Sequence, residues 1–378
     1  MTNAYEMSNI TEESSMFTSD DTTAENASRT TQKARILLTP EEFLNQFWQY
    51  RLQRQLWKYM SPCLIIFGTI FNALTILVLL RRKFGKSSTR TLLIVLALAD
   101  TAVLLTALLR QWIREMFDLD LRTLTPISCP VHVFSVYFLL HYASWLVALL
   151  TVERWISVTY PLKARTICTK KWTCVVLTII FIFLFGLNSH ILYFKRLNAN
   201  GQCTPDTEDY GVFWKKIWYW IDLLAYCLLP FFVICFCNCS ILYKVIRGQL
   251  VRKKMQNPGG KKDGHTSQLT SMTYMLTTVS VLFILLTLPS SVFFIVQGQL
   301  SITTWQMSVE INLLYAVTNL IAYINNTINF LLYCVSGTQF RREVLQMFRC
   351  LKDGKLSRSS TFNASRTYKF SGRDALHK

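Results

Sequence analysis

Seven apolar stretches, each long enough to cross the hydrocarbon of a bilayer, constrain this chain more than any other feature: roughly 60–80, 91–112, 129–158, 173–194, 214–244, 272–297 and 305–334. A helix needs about 20 mostly apolar residues to span, and in lipid its backbone groups must bond to one another because no water is present. The expected fold class is an all-α membrane protein, a seven-transmembrane helix bundle. With 51% hydrophobic and only 16% charged residues over 378 positions, the chain is too apolar for an ordinary soluble domain. The net charge of +18 raises nucleic acid as a partner. The basic residues lie in the breaks between apolar runs rather than on one face, so membrane orientation explains them and no nucleic-acid partner is expected.

The breaks after the first, third and fifth runs hold Arg81, Arg82, Lys83, Lys86 and Arg90, then Lys163, Arg165, Lys170 and Lys171, then Lys244, Arg247, Arg252, Lys253, Lys254, Lys261 and Lys262. Because basic residues are retained on the cytoplasmic side, these breaks predict a multi-pass plasma-membrane protein with its N-terminus extracellular. Residues 1–57 read as a disordered extracellular tail with an amphipathic lead-in, and nothing in them has the pattern of a cleavable leader. The sequons at Asn9 and Asn26 fall in this tail and are glycosylation candidates, whereas those at Asn238, Asn325 and Asn363 lie in apolar runs or a basic tail. The bundle is expected over 58–335. Residues 336–350 restart as an amphipathic helix too short to span, a short eighth helix for the membrane surface ending at the palmitoylation candidate Cys350. Residues 351–378 read as a disordered cytoplasmic tail whose serines and threonines suit phosphorylation.

Polar residues within the runs are few, and burying them requires partners. Asn72, Asp100, Asn325, Asn326 and Asn329 are expected to share a polar core, either as structural glue or as a cluster that rearranges. Glu153 and Arg154 end the third run and should lie at a membrane face, as simple anchors or as the working end of a switch. Pro161 ends that helix, leaving Leu162 as an exposed apolar residue beside Arg154 that suits a docking protein. Cys129 and Cys203 both fall in the oxidising compartment, where they either bridge or remain separate buried thiols.

Taken jointly, Asn72, Leu96-Ala97-Leu98-Ala99-Asp100, Cys129, Glu153-Arg154-Trp155 with Pro161, Pro230, Phe283 with Pro289, and Asn329 to Tyr333 resemble the rhodopsin-like (class A) G-protein-coupled receptors from about Asn72 to Cys350. The resemblance implies no enzymatic activity and no cofactor. It implies a switch of Glu153, Arg154, Trp155, Pro161, Leu162, Phe283, Pro289, Asn329 and Tyr333 that couples to a heterotrimeric G protein. It further implies a Cys129–Cys203 bridge, arrestin and a receptor kinase acting on the C-terminal tail, and membrane lipid around the bundle. No metal is assigned, and sodium near Asp100 stays open because Ala143 replaces a frequent serine of that site. Other departures are Thr287 where tryptophan is usual, Phe330 where proline is usual, Leu269 in place of an acidic partner for Arg154, and Trp172 too near the cytosolic end. Thr287, Asn238 and Asn329-Phe330 look similar to invertebrate receptors for FMRFamide-like and myosuppressin-like neuropeptides.

Val136 lies about 27 Å of helix from Arg154, in the outer half where this family binds ligands. Amine receptors carry an aspartate there, so Val136 argues against a monoamine. Tyr323 stands where visual pigments carry their retinal lysine. The candidate ligand site is Arg110, Trp112, Val136, Tyr137, His141, Trp218, Asp222, Gln297, Glu310 and Tyr323, and its expected ligand is an extracellular amidated neuropeptide. Asp222 either receives a peptide cation or pairs internally with Arg110 or Lys216. A receptor for a non-peptide ligand is the alternative, and an ion transporter or channel the more distant one, since no internal repeat is present.

Overall fold

A computed structural model describes residues 40–81, 87–255, 264–300, 303–336 and 338–352. Asn9 and Asn26 lie outside the described residues, as does the side chain of Cys350. Seven helices among the described residues are long and apolar enough to cross a membrane: Trp48–Leu79, Ser88–Phe117, Ser128–Thr159, Lys170–Phe194, Glu208–Gly248, Ser280–Gln297 and Trp305–Val335. Pro161–Ile167 forms a short helix after the third, and Thr338–Lys352 the amphipathic one after the seventh. The first span begins at Trp48, so the lead-in and the bundle share one continuous helix across residue 58. Trp57, which is 1% exposed, fixes this extension against the second and seventh helices.

Large apolar side chains such as Ile66, Phe67, Ile70, Ile182, Phe183, Phe232 and Phe236 point outward, which in water would be unfavourable and in lipid is the expected solution. Small residues let the helices close up inside. A Cβ placed on Gly68 would collide with Leu104 Cδ1 and come 3.0 Å from Thr327 Oγ1, so the close approach of the second and seventh helices at this point depends on the absence of a side chain.

One helix irregularity is paired with donors from a neighbouring helix. The fifth helix opens into a wider, i→i+5 turn over Leu223–Leu228, which loosens its own ladder. Two donors of the third helix meet the carbonyls there: Ser144 Oγ donates to Tyr226 O at 2.7 Å and Trp145 Nε1 to Ala225 O at 2.9 Å. In the sixth helix Pro289 removes the donor for Leu285 O, and the hydroxyls beside it bond other carbonyls of the same helix: Thr287 donates to Phe283 O at 2.7 Å and Ser290 to Thr287 O at 2.9 Å. Phe330 leaves the seventh helix unbroken from Trp305 to Ser336, and its ring stacks on Phe71 and meets Phe340 of the amphipathic helix edge-on.

At one end of the bundle, strands Lys195–Leu197 and Cys203–Pro205 form an antiparallel hairpin whose turn is made by Gly201 at φ 70°. Cys203 is bonded to Cys129 at the start of the third helix, with 5.5 Å between their Cα atoms, so the hairpin is tied down over this end. The Glu153–Arg154 pair lies at the other end of the same helix.

Gly68→Val should force the first helix away from Leu104 and Thr327, an overpacking cost of about 1–3 kcal/mol. Thermal unfolding of purified protein in detergent is expected to show a clear drop for Val and a smaller one for Ala, whose methyl Leu104 can partly evade. Equal melting temperatures for all three would mean that the helices are not in close contact here.

Candidate functional site

The third helix places side chains on every neighbour it crosses, and two clusters result. Towards the disulfide end, His141 is fully buried. Its Nε2 lies 2.9 Å from Asp222 Oδ1 on the fifth helix, and its Nδ1 lies 3.0 Å from Asn188 Nδ2 on the fourth. The same amide nitrogen donates to Leu184 O at 2.8 Å, so Asn188 presents an N–H to the imidazole. Nδ1 must therefore accept, and the ring proton sits on Nε2 and is donated to Asp222. The carboxylate of Asp222 remains 18% exposed, leaving its second oxygen for another donor.

An aromatic wall surrounds this pair. Tyr137 meets Trp214 and Trp218 edge-on at 5.5 and 5.7 Å, Trp214 and Trp218 stack at 5.8 Å, and His190 approaches Trp218 at 4.3 Å while bonding Tyr210 Oη at 2.7 Å. Tyr137, His141, Trp218 and Asp222 thus come together as the sequence suggested. Val136 and Tyr323 belong to a separate apolar cluster with Trp57, Leu104 and Leu320. Trp112 donates to Lys58 O at 3.2 Å and so ties the second helix to the first. Gln297 lies near the end of the sixth helix, and Glu310 accepts from Gln306 on the first turns of the seventh.

The internal partner of Asp222 is His141, where the sequence suggested Arg110 or Lys216. Lys216 is exposed. Arg110 is engaged elsewhere: its Nε and Nη2 bond Asp120 Oδ1 and Oδ2 at 2.9 and 2.6 Å, and Arg122 Nη2 reaches Asp120 Oδ2 at 2.7 Å. Burial raises the pKa of Asp120, but the hydrogen bonds and charges of Arg110 and Arg122 outweigh it and hold the carboxyl well below the usual range.

Sequence reasoning missed Asn188, Trp214 and Lys195. The spacing of Trp214 to Trp218, matching that of Tyr137 to His141, was the available signal for the aromatic wall. Lys195 is 7% exposed with its Nζ 3.9 Å from the centre of the Trp214 ring. Burial, with a smaller contribution from the charge of Arg122, pushes its amine down from 10.5 to about 7.

Mid-bundle, Asp100 accepts from Asn326 Nδ2 at 2.8 Å through one oxygen and from Asn329 Nδ2 at 2.7 Å through the other. Asn72 Nδ2 donates to Asn326 O at 3.1 Å, and Asn325 is buried on the same helix as its neighbours. At the far end of the third helix, Glu153 accepts from Ser88 Oγ at 2.9 Å and from Thr89 Oγ1, which itself accepts from Arg154 Nη2 at 2.6 Å. Trp155 Nε1 donates to Ser240 Oγ on the fifth helix at 2.8 Å, and Thr151 shares a hydrogen bond with Ser280 on the sixth. Leu162 is 82% exposed just beyond. Phe283 and Tyr333 are buried in the core around this half of the third helix, and Tyr333 meets Phe340 at 5.6 Å.

The buried amine of Lys195 makes stability depend on pH. Between about pH 7 and 10.5 the unfolded chain holds a proton here that the native one lacks, so the cost of burying charge is full below pH 7 and fades as pH rises. Lys195→Met is expected to raise the melting temperature more at pH 6 than at pH 9. A gain independent of pH would place the amine in water.

The family described as 7 transmembrane receptor (rhodopsin family) matches residues 71–333. An FMRFamide receptor of Drosophila melanogaster is 24% identical over 300 residues, covering 75% of this chain and 52% of that protein, so the match spans about half of that relative's length. Galanin receptor type 1 of Rattus norvegicus is 25% identical over 76% of this chain and 82% of its own. An FMRFamide peptide receptor of Caenorhabditis elegans is 21% identical over 79% and 70% respectively. With seven apolar spans, a bridged Cys129–Cys203 and a family match across most of the bundle, the chain belongs to the rhodopsin family of seven-transmembrane receptors.

Proposed function

We propose that this receptor binds an extracellular, amidated neuropeptide at its disulfide end and passes the event to a heterotrimeric G protein at its Arg154 end. The N-terminus and the hairpin then face outward in the plasma membrane, a reading that the basic breaks after the first, third and fifth helices support. The observation that carries the ligand class is the Tyr137–Trp218–His141–Asp222 cluster: a part-exposed carboxylate held by a neutral imidazole within aromatic walls. That combination suits a cationic residue next to an aromatic one, as in the Arg-aromatic end of an amidated peptide. The names of the relatives, two of which are receptors for FMRFamide, support the same class.

Ligand binding shifts the packing of the helices against the third, and Arg154 with Leu162 receives the G protein. Arrestin and a receptor kinase act on the C-terminal tail, and Thr338–Lys352 lies on inner-leaflet lipid with Cys350 as its acylation site. Screening amidated peptides by second-messenger response, together with guanine-nucleotide exchange and ion current in the same membranes, tests the reading. Current without exchange would make the protein a transporter.

Arg154→Ala is expected to abolish exchange while leaving peptide binding largely intact, since about 20 Å of helix separates it from His141. A modest change in affinity is allowed because coupling between two sites is reciprocal. Full signalling by the variant would reduce Arg154 to an anchor.

Asp222→Asn keeps the shape but removes the charge, so an arginine-bearing peptide should weaken by about 30-fold or more, and its citrulline analogue far less. Equal losses would mean that Asp222 serves the bundle alone. The cycle with His141→Gln separates the two contributions: coupling confined to the empty receptor would make His141 the whole purpose of the carboxylate.

A further inference from the structure

A cavity of about 460 Å³ opens at the Arg154 end between the starts of the second and fourth helices, the end of the third, and the short helix Pro161–Ile167. It lies on the side of Arg154 that faces the second helix, through Thr89. Two helix N-termini meet there. Ser87 caps the second helix by accepting from Arg90 N at 3.2 Å, and Thr169 caps the fourth by accepting from Trp172 N at 3.4 Å. Both dipoles therefore present their positive ends to the same space.

The walls add charge of the same sign. Arg154, Arg165 and Lys170 line the cavity against the single carboxylate of Glu153, which two hydroxyls of the second helix already occupy. Arg154 is 8% exposed, yet its Nε has no hydrogen-bond partner and only Nη2 is engaged, with Thr89. A buried guanidinium left with unused donors on a cavity wall is costly unless an anion completes it. The hydroxyls of Ser87, Ser157 and Thr169 on the same walls match a ligand that carries hydroxyls as well as charge. The cavity is also far larger than one phosphate needs. Trp172, 59% exposed one turn into the fourth helix, marks the level of lipid headgroups beside it.

We propose that this cavity binds a phosphorylated inositol, through its phosphomonoesters on Arg154, Arg165, Lys170 and the two capped N-termini. The proposal rests on the orientation given above, which puts this end in the cytosol. The inositol belongs either to an inner-leaflet lipid or to a soluble polyphosphate, and the test has an arm for each.

Full-length receptor is reconstituted in phosphatidylcholine nanodiscs with and without phosphatidylinositol 4,5-bisphosphate, and in a second arm inositol hexakisphosphate is added to receptor in detergent. Arg165 and Lys170 are exposed, so the double variant R165Q/K170Q should fold normally. It is expected to bind about tenfold more weakly or worse, whereas K163Q/K171Q, which removes the same charge outside the cavity, should change by less than about threefold. Binding in the nanodisc arm alone assigns the site to the lipid headgroup, and binding in both assigns it to the phosphomonoesters themselves. Equal loss in the two double variants would reduce the effect to general basicity and overturn the proposal. So would binding in neither arm, or a phosphorylated peptide of residues 357–371 binding with this variant sensitivity while neither inositol probe does. No arm requires a peptide ligand or a G protein, so failure here leaves the receptor reading standing.

Discussion

Within hydrocarbon a backbone carbonyl without a donor has nowhere to turn, and the architecture of this protein follows from that constraint. Regular helices solve it locally. Where the fifth helix loosens its ladder at Leu223–Leu228, side-chain donors stand across the interface: Ser144 and Trp145 of the third helix. An irregular turn thereby becomes a point of attachment between helices. The fifth helix is fastened to the third by its own departure from regularity.

The third helix consequently acts as a common axis. His141 reaches the fourth and fifth helices, Ser144 and Trp145 the fifth, Thr151 the sixth, Glu153 and Arg154 the second, and Trp155 the fifth again. Nearly every contact is a single hydrogen bond between a short polar side chain and a partner on another helix. Bonds of this kind in a membrane are worth only about 0.6–2 kcal/mol each, because the alternative arrangements also find partners. A bundle held this way is stable in sum and exchangeable in detail, which is what a signalling protein needs of its central element.

Apolar runs and basic breaks made the seven helices legible, since span length and charge placement depend on composition alone. The Cys129–Cys203 pair was legible once the two ends of the bundle had been assigned. The Asp222–His141 contact was not, because it joins residues 81 apart and depends on the rotation of two helices about their axes. Arg110 shows the same limit from the other side: a charge near the ligand end looked available, but Asp120, ten residues later in a loop without periodicity, folds back to take it. Lys195 carries no signal in the sequence, since a lysine ordinarily reaches water and only the hairpin places it over Trp214. Long-range azimuth and loop closure, rather than helix existence, were the quantities the sequence withheld.

Phe330 carries a mechanical implication. Proline at this point would leave a gap in the backbone ladder about which the last two turns could swing. Here the amide stays in the ladder, and the aromatic ring is gripped by Phe71 on one side and Phe340 on the other. The seventh helix is thus a stiff rod clamped near its tip, and any displacement of that tip must either tilt the whole rod, reaching as far as Trp305, or slide one ring past another. Movement that a hinge would confine to a few residues is distributed instead along the full thickness of the membrane.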